Sequence, residues 1–116
     1  MHTKHFIQLG KCLVSVEEIV RLEAQSNYTI IHFHNKKSIM TSKILAQYEK
    51  SLLQEGFIRS HHKHLVNPNY ITNIFLQSNS IKMRDDTIIS ISRRKRKEVI
   101  MKLSVNMDLY VSNRQG

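Results

Sequence analysis

The sequence predicts a mostly β domain: elongated antiparallel β sheets with one amphipathic helix and a short C-terminal helix. Three observations carry this. Short β-branched and aromatic runs recur at close spacing, the breaks between them are turn-forming residues, and a period near 3.6 replaces the period of two over one main stretch. The extended runs fall at 6–9, 13–16, 19–24, 28–34, 38–41, 71–76, 81–84 and 88–92. Asn35-Lys36-Lys37, Gln77-Ser78-Asn79-Ser80 and Asp85-Asp86-Thr87 separate successive runs with residues that tolerate tight turns, so these read as hairpins. Alternation in Ile30-Ile31-His32-Phe33-His34 and in Ile89-Ser90-Ile91-Ser92 gives each strand one apolar and one polar face.

Between 42 and 54 the pattern changes. Ile44, Tyr48 and Leu52 lie one helical turn apart, with Leu45 and Leu53 beside them, which marks an amphipathic stripe. Ser42 is the expected N-cap and Gly56 the expected stop. A second helix is expected after Ser92, with Val99, Ile100 and Leu103 on one face. The tail 104–116 has no assigned structure, since Val105-Asn106-Met107-Asp108-Leu109-Tyr110-Val111 reads equally as a terminal strand or a frayed end. No repeat or linker divides the chain, so residues 1–116 are expected to form one domain.

Composition narrows the partners. Eighteen Lys and Arg against nine Asp and Glu give a formal charge of +9, which attracts polyanions, nucleic acid first. No apolar run approaches the ~20 residues that cross a bilayer, and residues 1–10 carry no secretion signal, so a cytoplasmic location without membrane contact is expected. Cys12 is the lone cysteine and reads as a small core filler, which removes disulfide and Cys-based zinc chemistry. With three glycines, neither a P-loop nor a dinucleotide fingerprint can be written.

Two basic features stand out. In Phe57-Ile58-Arg59-Ser60-His61-His62-Lys63-His64-Leu65-Val66, cations and imidazoles sit between Phe57, Leu65 and Val66, which would pin a loop to a core. Arg93-Arg94-Lys95-Arg96-Lys97 follows Ser92 at a helix start, where the positive end of the helix dipole opposes each cation unless an external anion such as phosphate sits there. A metal reading of His61, His62 and His64 with His32 and His34 lacks the supporting carboxylates, none of which lies between Glu55 and Asp85. A catalytic histidine lacks a partner set apart by the sequence, so no enzyme and no cofactor are expected. An RNA-binding β module would need Tyr28, Tyr70 and Phe75 free to stack on bases, whereas such aromatics more often belong to a core.

Several segments together resemble the LytTR-type DNA-binding domain, the output module of many bacterial response regulators. They are Leu22-Glu23-Ala24 with Asn27-Tyr28; Ile44-Leu45 and Leu52-Leu53; Phe57-Ile58-Arg59-Ser60-His61 running on to Leu65-Val66-Asn67; Ile71 and Ile74; and Ser92-Arg93-Arg94 after a strand. Their order and spacing fit over about 13–103. The resemblance implies binding of double-stranded DNA through loops set in two successive major grooves, on paired direct repeats; such domains usually follow a receiver or sensor module, and these 116 residues read either as an excised domain or as a stand-alone protein. By position the loops would be Asn27-Tyr28, then His61-His62-Lys63, then Arg93-Arg94 with Lys95 behind. Arg94 suits a bidentate contact to guanine, while Arg59, Lys63, Lys95, Arg96 and Lys97 suit phosphate. Where the family usually runs His-Arg-Ser, this chain has His61-His62-Lys63, so an imidazole replaces a permanent guanidinium.

Overall fold

A computed structural model describes residues 4–104; the strand-or-frayed-end question at 105–111 lies outside the described residues. Among the described residues ten strands, all paired antiparallel, form three sheets. A hairpin joins β1 (Phe6–Leu9) and β2 (Cys12–Ser15). The central sheet runs β5 (Ser38–Thr41), β4 (Tyr28–Phe33), β3 (Ile19–Gln25), β7 (His64–Val66), β6 (Ile58–His61). The third has β9 (Ser80–Met83) between β8 (Ile71–Phe75) and β10 (Ile88–Ser90). Helices α1 (Ala46–Gln54) and α2 (Arg96–Leu103) pack beside the sheets, and the described residues extend over 46 × 38 × 24 Å.

The central sheet is apolar on both faces, and each face has its own core. Ile19, Leu22, Ile31 and Leu65 pack with Leu45, Tyr48 and Leu52 of the α1 segment and with Leu9 of the hairpin. Val20, Ile58 and Val66 pack with Ile74, Ile81, Met83 and Ile89 of the third sheet and with Val99 and Leu103 of α2. Leu65 and Val66 are successive, fully buried and assigned to opposite cores, as the period-two pleat requires. A register shift between Ile19 and Arg21 inserts Val20 as a bulge, so Ile19 and Leu22 serve one core while Val20 serves the other.

Two of the three expected hairpin turns form as Asx-type turns. Asn35 Oδ1 accepts from Lys37 N at 3.0 Å, and Asp85 Oδ1 accepts from Thr87 N at 3.0 Å. Lys36 and Asp86, the middle residues, take the left-handed conformation at φ 72° and 70°. Gly56 stops α1 at φ 95°: the Gly56 N–H bonds Leu53 O, and the Phe57 N–H reaches back to Leu52 O, both at 3.0 Å. Leu52 and Phe57 are both buried in the same core, which completes a Schellman closure.

Five expectations need correction. Helix α1 begins at Ala46, not near Ser42, because Lys43 O bonds Thr29 Oγ1 and the Gln47 side chain takes the Ile44 N–H, leaving Ser42 outside the helix. Ile44, placed in the stripe, is 47% exposed in the segment before the helix. Cys12 is exposed beside the Gly10-Lys11 turn and fills no core. Tyr28 and Phe75, read as core, stand at strand ends and are 47% and 41% exposed; Tyr70 is partly buried and packs on the core. The segment read as a loop after Phe57 is instead the tight β6–β7 hairpin, turning at His62-Lys63.

Candidate nucleic-acid interface

Strand pairing brings the three loops to one edge. β3 and β4 pair as far as Gln25 and Tyr28, so Ser26-Asn27 turn at one end of the central sheet, with Ser26 at φ 56°. β3 also pairs with β7, Glu23 opposite His64, and the Ala24 N–H donates to Lys63 O at 2.9 Å. The His62-Lys63 turn is thereby held beside the Ser26-Asn27 turn. On its other side the Ser92 N–H bonds Ser60 O at 2.9 Å, which docks the 3-10 turn Arg93–Lys95 against β6. His62 then lines one groove of about 320 Å³ with Ser92, Arg93, Arg94 and Lys95.

Side chains within this edge divide into presented and internal groups. Asn27, Tyr28, His62, Lys63, Arg93, Arg94 and Lys97 are exposed, and Lys95 is half-buried. Arg59 differs. Nε donates to His61 O at 2.9 Å, Nη2 donates to His62 O at 2.7 Å, and Nη1 bonds Glu49 of α1, so all three guanidinium nitrogens face inward. Arg96 is also engaged, with Nη1 donating to Leu76 O at 2.8 Å and to the Asn79 side chain of the β8–β9 turn. The phosphate role expected for these two arginines therefore finds guanidinium groups already holding protein.

Two histidines of this hairpin, His61 and His64, are held towards the neutral form. Burial, then the nearby charges of His62, Lys63 and Arg59, lowers the His61 pKa, which keeps Nδ1 free to accept the Lys63 N–H at 3.1 Å. The His61 ring stacks on His62 with centroids 4.5 Å apart. Burial pushes His64 down to about 4, and its Nδ1 is buried without a hydrogen-bond partner. His32 bonds Glu23 at 3.0 Å; burial pushes that carboxyl up, but the His32 hydrogen bond and Arg21 outweigh it and hold it below its usual range. Among the described residues no group of three or more His, Cys, Asp or Glu is arranged to hold a metal.

Charge at the edge is unbalanced. Glu49 is on Arg59 and Glu98 is on Lys102 at 3.1 Å, whereas Lys63, Arg93, Arg94, Lys95 and Lys97 form no ion pair with any described residue. The first turn of α2 keeps its cations, as expected, with Ser92 Oγ accepting the Lys95 N–H at 3.3 Å. One more cation belongs here. Thr29 Oγ1 donates to Lys43 O at 2.7 Å, which fixes Lys43 next to the Tyr28 end of β4. The signal was available in the sequence, because a hairpin turning at Asn35-Lys36-Lys37 returns its second strand to the level of Asn27-Tyr28.

A model of the LytTr DNA-binding domain matches residues 10–104, most of the chain. The chain belongs to the LytTr DNA-binding domain family. Its members are domains of DNA binding and transcription regulation in response regulators rather than of catalysis. Among solved structures, this LytTr domain is similar to the LytTr DNA-binding domain of a methyl-accepting/DNA response regulator from Bacillus cereus. That comparison has a TM-score of 0.70 at 19% identity and covers 89% of this chain and 98% of the other, so it establishes the shared fold. No curated protein matches the chain. Among the described residues no helix is long and apolar enough to cross a membrane.

Proposed function

We propose that this LytTr domain binds double-stranded DNA sequence-specifically through the loops at Asn27-Tyr28, His62-Lys63 and Arg93-Arg94, as a cytoplasmic transcription regulator or response-regulator output domain. The convergence of these loops on one cation-rich edge, docked through the Ala24–Lys63 and Ser92–Ser60 backbone bonds, carries the reading. Arg94 is an exposed fork suited to guanine O6 and N7; Lys43, Lys63, Arg93, Lys95 and Lys97 neutralise phosphate. Two copies on direct repeats would lengthen the site and multiply the affinity.

Selection of bound duplexes from a random pool tests this. The expected result is one enriched motif, repeated in tandem; a pool that stays random would overturn sequence-specific binding. Exposure of Tyr28 and Phe75 supports a second reading, stacking on single-stranded RNA. RNA of equal length that displaced the selected duplex at equal charge would favour it.

A further inference from the structure

Glu49 is a carboxylate set behind a surface that must attract a polyanion, and it sits on the arginine nearest the second loop. Its partner has little freedom. The Arg59 side chain is 14% exposed, and its fork spans three acceptors: the carboxylate and the successive carbonyls of His61 and His62. Those carbonyls lie at the point where β6 turns into β7, beyond a register shift between Arg59 and His61 that breaks the regular ladder. The His61–His64 pair closes the turn beyond that shift, and the guanidinium adds donors to the two turn carbonyls.

We propose that Arg59, oriented by Glu49, is a positioning residue that sets the His61-His62-Lys63 turn in the conformation that presents His62 and Lys63 to DNA. Glu49 holds one nitrogen, which aims the other two at the carbonyls. The carbonyl positions define the turn, and the turn stacks the His61 and His62 rings and aligns the Lys63 N–H with His61 Nδ1. A lysine cannot replace this arginine, because one ammonium lacks the planar fork that reaches three acceptors. The inference rests on the DNA-binding reading for its consequence, but the strut is a property of the free protein.

Arg59→Lys and Glu49→Gln separate positioning from charge. In free protein, amide exchange at Lys63 is expected to speed up about tenfold or more in both variants, while the amides of β3 and β4 keep their protection. Unchanged exchange at Lys63 would overturn the strut whether or not DNA binds. On DNA, the selected duplex and a scrambled duplex are titrated across a salt series. Positioning predicts that both variants lose affinity for the selected duplex, with the salt slope on scrambled DNA unchanged. Glu49→Gln is the sharper arm, since removing a negative charge by itself favours DNA. Tighter binding of both duplexes by Glu49→Gln, or an equal loss on both by Arg59→Lys with the slope reduced by about 0.9, would show a direct electrostatic role and overturn the proposal.

Discussion

At the scale of single residues, the edge sorts cations by what their donors already do. Arg94 is exposed and unpaired on its 3-10 turn, whereas Arg59 and Arg96, its neighbours in composition, are bonded to backbone carbonyls. Arg94→Ala is expected to lower the ratio of selected to random affinity by roughly tenfold or more, since a bidentate guanine contact is worth ~1–3 kcal/mol of discrimination. Lys97→Ala should weaken both duplexes about equally; titrations of the two variants that superimpose would contradict the assignment. His64 gives a pH prediction. Its folded pKa, about 4, lies below the ordinary histidine value, so the unfolded chain binds the extra proton first. Stability is thus full above pH ~6.5, falls as the pH drops towards 4, and the loss amounts to at most about 3 kcal/mol. Urea midpoints at pH 7 and pH 5 read the first part of that loss, and His64→Leu should flatten that part of the profile. What the sequence could not tell is which arginines are internal, because Arg59 and Arg94 look alike until Glu49 and the turn carbonyls are placed around one of them.

Elements were readable where a local signal agreed with the final environment. The β4–β5 and β9–β10 hairpins carry Asn or Asp with a left-handed middle residue, so their turn chemistry is local. The β6–β7 hairpin was hidden: Arg59 and His61 alternate with Ile58 and Ser60, but Ser60 is a small polar residue that is buried, so the apolar alternation is incomplete. Its turn, His62-Lys63, has neither Gly nor Asn, and neither residue takes the positive φ that would call for one, so the usual turn signal is missing. The helix start failed for a related reason, with Lys43 tied to β4 before the helix begins. Gly56 tests the opposite, purely local, mechanism. A Cβ at this position meets nothing within 4 Å, so Gly56→Ala is expected to cost only the left-handed backbone strain, about 1–2 kcal/mol. A chemical denaturation curve should show a lower midpoint with an unchanged slope, and a neutral result would mean that the α1 stop does not depend on this φ.

For the whole molecule, net charge predicts a polyanion partner but not which side it approaches, and pairing supplies the direction. β3 and β4 run from the Ile19–Phe33 pair to the Gln25–Tyr28 pair, so the Lys36-Lys37 turn lies at the far end of the sheet from Asn27, roughly 20 Å away. That separation exceeds the Debye length of about 10 Å at 0.1 M salt, so cations at the two ends act almost independently on a bound duplex. If the five cations proposed to neutralise phosphate, Lys43, Lys63, Arg93, Lys95 and Lys97, all contact it, the expected slope of log K against log salt is roughly −4 to −5. Replacing Lys43 and Lys63 with Gln should make the slope shallower by about 1.8. Replacing Lys36 and Lys37, the same change in net charge, should leave it within about 0.5, because release of counterions counts contacts and not total charge. Equal effects from the two pairs would mean that the duplex does not rest on the edge formed by the three loops, and a flat response in the parent protein would remove phosphate neutralisation from the mechanism altogether.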